Sequence, residues 1–271
     1  MPSQIFIFSS DEKNGAMNKS NDGSFFQVKF TNPLFLPSNA YNCHLGVISA
    51  NIWNNSPNIS SVLQNNNMTI EDNNGEYTVY LPDGNYDIEN LDETLNVMFN
   101  GLQNSRLMYP FNQYFRLLPN NATQKINIEC LYTEGANPKI IWAKSSLRKI
   151  LGFNEDSPTT PLIAPQIGGS SWMVAPNIAK FNSYNSYIIH SDLINSGIQL
   201  NNNFYQIISM IPITSESRSL NIYEAHDPYP FSTCGNLIGE NNCKYKSSFW
   251  VTDEKNIPLQ QSENWNIVGM I

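Results

Sequence analysis

Hydrophobic and polar residues alternate with a period of two along much of the chain, which is the pattern of half-buried β-strands. In Ser24–Phe30, for example, Phe26, Val28 and Phe30 alternate with Gln27 and Lys29. Prolines and other turn residues separate these segments, and short strands at such spacing favour a sandwich or jelly roll over alternating βαβ units. The same pattern predicts strands over 41–52, 76–81, 114–118, 125–131, 139–142, 183–190, 203–211, 220–225, 247–252 and 265–271.

Two segments change to a helical period. Asp87 can cap a helix, because its carboxylate can accept a hydrogen bond from a first-turn N–H, and apolar residues then follow three or four apart: Ile88, Leu91, Leu95, Met98, Phe99 and Leu102. A second, shorter helix is predicted over Ser145–Leu151, with Ser145 or Ser146 as its cap and Gly152 ending it.

The predicted elements divide the chain into three parts. Residues 1–83 form the first part of a jelly roll, residues 84–156 an inserted α+β unit, and residues 157–271 the second part of the jelly roll. Residues 156–182 are rich in Pro, Gly and Ser and are predicted to be a long excursion without regular structure. The expected fold class is therefore mainly β: a jelly-roll β-sandwich with an inserted small α+β unit.

The composition of the chain argues against some classes of function. The 271 residues include 23 acidic and 15 basic side chains, for a net charge of -8, and the four arginines do not cluster. A nucleic-acid backbone is bound by clustered Lys and Arg, so nucleic-acid readout is not expected. Charged residues make up only 14%, while 40 asparagines supply surface polarity. Low charge favours association, which suits a protein packed against neighbours. No signal peptide, targeting segment or membrane span is expected.

No arrangement of residues predicts catalysis or a cofactor. His190, Ser191 and Asp192 contain the residue types of a hydrolase triad, but neighbours on a strand point to opposite faces and cannot form a relay. His226 and Asp227 with Cys234 and Cys243 lack the close ligand pairs of a zinc site, and the cysteines are expected to be free thiols. We therefore expect no enzyme activity, no cofactor and no metal.

Several aromatic residues are candidates for contacts with a partner. Trp53 and Trp172 lie beside Asn, Ser and Gly in loop-like contexts, where an exposed ring can anchor an interface or stack on a sugar. Core packing is the favoured interpretation for each of the two tryptophans, and contact with a partner is the alternative. Trp172 with Tyr184 and Tyr187 could form the platform of a carbohydrate-binding, lectin-like β-sandwich, which is the alternative function.

Read in order, several segments resemble one family, the penton or minor capsid proteins of virophages and Polinton-type viruses and elements. The resemblance covers about 25–215, and its specificity lies in the order of individually loose motifs. These are Ser24–Leu36 (SFFQVKFTNPLFL), Asn51–Asn55 (NIWNN), Leu81–Tyr86 (LPDGNY), Leu147–Phe153 (LRKILGF), Tyr187–Leu193 (YIIHSDL) and Ile211–Ile213. Residues 234–245 match no part of the family pattern.

The resemblance implies a structural capsid protein without catalytic residues. Such a subunit would form a homopentamer that closes the fivefold vertices of an icosahedral virion and contacts trimers of the double-jelly-roll major capsid protein. It would be assembled inside the host cell and located in the virion. Because a vertex faces the host, a host surface receptor or glycan is a further expected partner.

Overall fold

The computed structural model describes residues 5–35, 44–102, 107–182, 184–194, 199–200, 203–204, 206–225, 232–233 and 243–270. The chain divides into two compact units. We call residues 1–56 and 184–271 the jelly-roll unit and residues 57–183 the insert. Each unit has its own cluster of buried apolar side chains and is described by itself.

The regular elements are mostly strands. In chain order the strands are β1 (Ile5–Ser9), β2 (Ala16–Met17), β3 (Phe25–Phe35), β4 (His44–Trp53), β5 (Asn67–Asp72), β6 (Gly75–Tyr80), β7 (Phe115–Asn120), β8 (Lys125–Leu131), β9 (Lys139–Ile140), β10 (Ser170–Val174), β11 (Ser186–Ser191), β12 (Gln199–Leu200), β13 (Asn203–Phe204), β14 (Ile207–Pro212), β15 (Leu220–Glu224), β16 (Ser232–Thr233), β17 (Cys243–Thr252) and β18 (Asn266–Met270). The helices are α1 (Ile88–Asn100), α2 (Phe111–Tyr114) and α3 (Arg148–Leu151), and single 3-10 turns lie at Glu12–Asn14 and Trp142–Lys144.

The jelly-roll unit is a sandwich of two antiparallel sheets. One has the order β1-β18-β4-β15, with β16 also pairing β4, and the other has the order β14-β11-β17-β3-β2. Its eight principal strands pair as a long hairpin wrapped around the core: β1 with β18, β3 with β17, β4 with β15 and β11 with β14. This pairing is that of a jelly roll, so the predicted fold class is confirmed.

The core of the jelly-roll unit lies between its two sheets. Trp265 is fully buried there, with its ring edge-on to Phe26 at 4.9 Å and its indole N–H donating to the carbonyl of Gly23 at 3.0 Å. Phe8 and Phe249 extend this cluster, 4.4 Å apart between ring centroids. The inward positions of the alternating strands therefore supply the core, as the period of two predicts.

The insert combines two small sheets with helix α1. The sheets have the orders β6-β5-β9 and β10-β8-β7. Helix α1 buries Leu91, Leu95 and Phe99 in the core of the insert, and the Asp87 carboxylate caps it by accepting from the backbone N–H of Asn90 at 2.8 Å. The predicted first helix and its cap agree with the structure.

The ends of each unit are tied together by hydrogen bonds. In the insert, the Asn58 side-chain amide donates to the carbonyl of Phe181 at 2.9 Å and to that of Tyr86 at 2.7 Å. In the jelly-roll unit, the Tyr184 hydroxyl donates to the carbonyl of Ser56 at 3.1 Å. The insert therefore begins after β4 and ends before β11. Hydrogen bonds within each unit hold the two ends of the break close together.

The structure differs from the predicted boundaries. The insert spans 57–183, which is wider than the 84–156 expected. Strand β5 pairs with β9, which lies within 84–156, and also with β6, so β5 and β6 both belong to the insert. The predicted excursion over 156–182 contains β10, which pairs with β8. The second helix is shorter than Ser145–Leu151, and neither predicted serine caps it, since Ser145 Oγ instead accepts from the N–H of Thr69 on β5.

Among the described residues, none of the helices has the length and apolar character needed to cross a membrane.

Candidate assembly surface

The sheet β1-β18-β4-β15 of the jelly-roll unit has an outward face with very little charge. Alternation and register place thirteen described positions of these strands on it. We call it the Ile7 face: Ile5, Ile7, Ser9, Gly46, Ser49, Asn51, Trp53, Leu220, Ile222, Glu224, Asn266, Val268 and Met270. Among these described positions, Glu224 is the one charged side chain.

The apolar side chains of this face are exposed to a degree that folding of the subunit alone does not explain. Ile7 is 72% exposed, Ile5 65% and Ile222 60%. An antiparallel sheet that faces water usually carries polar side chains on that side. Here the polar residues near the centre are uncharged, and the Asn51 side-chain amide donates to Asn266 Oδ1 at 3.4 Å. Large apolar side chains exposed on a face with so little charge are typical of a surface that meets another protein.

Of the four predicted contact aromatics, Trp53 lies on the Ile7 face. It is the last residue of β4, not part of a loop, and its side chain is partly exposed opposite Leu220. Its carbonyl accepts a hydrogen bond from the Tyr187 hydroxyl at 3.2 Å. The structure thus places Trp53 where it can contact a neighbour, with its backbone fixed from inside the sandwich.

Tyr187 belongs to the jelly-roll core, and Tyr184 is partly buried against it. Tyr187 is fully buried, so its side chain cannot stack on a sugar, and burial raises the pKa of its phenol. Tyr184 packs against it with ring centroids 6.1 Å apart, and burial raises its pKa as well. The phenol hydroxyls of both residues donate inward to backbone carbonyls, which holds the residues in the core.

Trp172 belongs to the insert and is 46% exposed in the middle of β10. The sequence context of Ser and Gly suggested a loop, but pairing of β10 with β8 makes the segment an edge strand. The ring is exposed, as the alternative interpretation requires, and the prediction of a loop is wrong.

The triad-like residues of β11 are arranged as structural polar groups. His190 Nε2 is 2.8 Å from Thr252 Oγ1, and its ring stacks on Trp250 at 5.1 Å. Ser191 Oγ accepts from the N–H of Leu193 at 3.1 Å, and Asp192 Oδ1 accepts from the N–H of Ser248 at 2.9 Å. Ser191 and Asp192 also share the Ser247 hydroxyl as a hydrogen-bond partner, whereas His190 Nε2 is directed to Thr252. The three side chains are therefore not arranged as a Ser-His-Asp relay.

Burial of His190 makes stability depend on pH. Burial lowers the pKa of His190 from 6.5 to about 4, since the charged imidazolium is disfavoured there. Between these values the unfolded chain binds more protons than the folded one, so stability is complete above pH 6.5 and falls as the pH drops towards 4. We expect a loss of about 2 kcal/mol at pH 5 from this group. Urea unfolding at pH 5 and 7.5 measures it.

His190→Phe is the matched control for this prediction, because it retains a ring to stack on Trp250 but cannot titrate. The variant should lose that part of the pH dependence, whereas carboxylates elsewhere titrate in both proteins. An equal pH dependence in the two proteins would contradict the assignment to His190.

The alternative metal site lies largely outside the described residues. His226, Asp227 and Cys234 are not among them, nor is the side chain of Cys243. Within the described residues, no group of three or more His, Cys, Asp or Glu side chains is arranged to hold a metal ion. Cys130 is a buried free thiol whose pKa is raised to about 12, chiefly by burial, so it is held in the protonated form.

Comparison with known proteins bears on the fold. No protein-family model matches the chain, and a search of curated proteins finds no similar sequence. The crystal structure of the mavirus penton protein is similar to this structure, with a TM-score of 0.50 and 11% identity over 99% of this chain and 98% of that one. The cryo-EM structure of the Sputnik virophage contains a chain with a TM-score of 0.48 and 15% identity over 99% and 97%. The chain therefore shares its fold with the mavirus penton protein.

Proposed function

We propose that this protein is a structural capsid protein, the penton subunit of a virion. The observation that carries the proposal is the fold shared with the mavirus penton protein along almost the whole of both chains. An alignment that includes the insert as well as the jelly roll supports a common role better than a jelly roll alone, because jelly rolls serve many functions. The ordered sequence motifs from Ser24 to Ile213 support it independently.

The subunit would form a homopentamer at the fivefold vertex. Closed rings are built from heterologous contacts, in which one patch of a subunit meets a different patch of the next. We assign the Ile7 face to the contact with the next copy of this chain, because it is apolar and flat and bears a single charge. Covering this face costs little free energy, because few charged groups lose their hydration. Burial of Ile5, Ile7 and Ile222 then stabilises the contact.

Other parts of the proposal concern location and outer partners. The pentamer would contact the major capsid protein around it, would be assembled inside the host cell, and would remain in the virion. A non-enzymatic role fits the direction of His190 Nε2 towards Thr252 rather than towards Ser191 or Asp192.

The mass of the purified chain in solution tests the proposal. One chain is 30.7 kDa, so a pentamer is about 153 kDa. Native mass spectrometry and light scattering over a range of concentrations should find this species, alone or after mixing with the major capsid protein. A chain that stays monomeric alone and is not incorporated into capsids on co-expression would contradict the proposal.

A further inference from the structure

The insert has an exposed aromatic surface beside a polar cleft. Sheet β10-β8-β7 buries alternate residues, and its other side carries Trp172 and Val174 on β10 and Leu118 on β7. Trp172 is 46% exposed and Val174 57% exposed. Strand β10 is an edge of this sheet, so among the described residues no further strand lies on its open side.

An open cleft of about 780 Å³ lies at one end of sheet β10-β8-β7. Its walls come from the segments before β7, after β8 and before β10, which meet at one end of the sheet. The size is within the range of small-molecule sites, about 300–1,000 Å³. The lining residues are Tyr109, Asn112, Gln113, Arg116, Glu129, Leu131, Tyr132, Thr133, Glu134, Gly168, Gly169 and Ser170.

The register joins Trp172 to the cleft. Trp172 is directly opposite Glu129, which in turn is directly opposite Arg116, so the three side chains form one row across the outward face. Residues in such cross-strand positions have Cβ atoms about 5 Å apart. Glu129 and Arg116 both line the cleft, so the indole lies in the same row as two of the lining residues, directly beside Glu129.

The polar groups of the row retain hydrogen-bonding capacity. Arg116 Nη1 and Glu129 Oε2 are 3.8 Å apart, an ion pair too long to be a hydrogen bond. The Glu129 side chain is only 17% exposed, so its carboxylate is partly screened from water and held in place. Thr133 Oγ1, also in the lining, is buried and has no hydrogen-bond partner among the described residues.

We propose that this cleft binds a glycan, with one pyranose ring stacked on Trp172. The apolar C–H face of a pyranose carries partial positive charge and fits the negative face of an indole. Its hydroxyl groups are donors and acceptors at once, and the row beside Trp172 offers a carboxylate acceptor and a guanidinium donor. Asn112 and Gln113 add amides, which can serve in either role.

The charges of the cleft favour a sugar over a nucleic acid. Glu129 and Glu134 face the same space as Arg116, and the chain carries a net charge of -8. Phosphate would meet two carboxylates there, whereas a neutral hydroxyl accepts hydrogen bonds from a guanidinium and donates them to carboxylates. The inferred ligand is therefore a neutral pyranosyl oligosaccharide. This inference does not depend on the proposed capsid function.

The experiment is glycan binding by the full chain and by three variants. An immobilised panel of neutral oligosaccharides (β-galactosides, β-glucosides and α-mannosides) selects a binder, whose free methyl glycoside is then titrated by NMR. We expect a Kd of millimolar or lower, weakened at least tenfold in Trp172→Ala and at least fivefold in Glu129→Gln. Val174→Ala changes an exposed residue on the same strand outside the cleft, and it should leave Kd within twofold.

Two results would overturn the inference. One is absence of binding to every glycan of the panel at 10 mM, and the other is a Trp172→Ala variant that binds as tightly as the natural chain. Thermal melting of each variant shows that it is folded, which is expected because Trp172 and Val174 are both exposed. The mass of the assembled species should be the same in Trp172→Ala, so failure of glycan binding and failure of pentamer formation are separate outcomes.

Discussion

A lysine in place of Ile7 is expected to reduce the assembled protein from a species of about 153 kDa to the 30.7 kDa chain. Ile7 is 72% exposed in the subunit, so the lysine is solvated and the fold is retained. In the ring its ammonium would be covered by the next subunit without a partner, at a cost of several kcal/mol for each contact. A ring repeats the same contact at every subunit, so the penalties add. Native mass spectrometry measures the result.

Leu162→Lys is the matched control for this substitution. Leu162 is 95% exposed and belongs to the insert, not to the Ile7 face, so the same change of chemistry there should leave the mass at that of the pentamer. Ile222→Lys on strand β15 should act as Ile7→Lys does. If both lysines on the Ile7 face left a stable pentamer, the ring contact would have to lie elsewhere on the subunit.

Truncation of Trp265 should destabilise the jelly-roll unit more than any change on the Ile7 face. The indole is fully buried against Phe26, and its N–H donates to the carbonyl of Gly23 at 3.0 Å. Trp265→Ala leaves a large cavity and an unsatisfied carbonyl, so we expect a loss of about 3–5 kcal/mol in the free energy of unfolding. Urea denaturation followed by circular dichroism measures this loss.

Two further variants separate the causes of that loss. Trp265→Phe keeps an aromatic ring beside Phe26 but removes the hydrogen bond, so it should fall between the natural chain and the alanine variant. Trp172→Ala, which removes an exposed tryptophan, should change stability by less than about 1 kcal/mol. Equal losses for the two alanine variants would show that burial of Trp265 does not stabilise the unit as described.

The elements that local patterns predict are those whose own sequence carries an unbroken alternation or a cap. Strand β8 (Lys125–Leu131) has the predicted bounds because its alternation is unbroken, and α1 begins after Asp87 because the cap is a local interaction. Strands β5 and β10 were not predicted. Asn67–Asp72 follows a run of asparagines, and Ser170–Val174 lies in a Gly- and Ser-rich segment. Strand β10 forms by pairing with the distant β8, and such pairing leaves little trace in local sequence. Strand β5 pairs with the next strand, β6, across a two-residue turn, and its asparagine-rich beginning hides the alternation.

The candidate surfaces could be predicted only in part. The polar neighbours of Trp172 do not decide between core packing and exposure, and the ring is exposed, whereas the candidate contact residue Tyr187 is buried. Sequence alternation indicates that two faces exist but not which one a second sheet covers. The Ile7 face shows the same limit. Ile5 and Ile7 were part of an apolar run at the start of the chain, and only the pairing of β1 with β18 places them outward.

The hydrogen bonds that close each unit have a consequence for how such proteins diversify. Asn58 ties the beginning of the insert to Phe181 near its end, and Tyr184 ties the jelly roll to Ser56 across the same break. A segment with adjoining ends can be exchanged for another, or replaced by a short turn, while the strands around it keep their register. Recombination at this point would give the same jelly-roll scaffold a different inserted module in a single step.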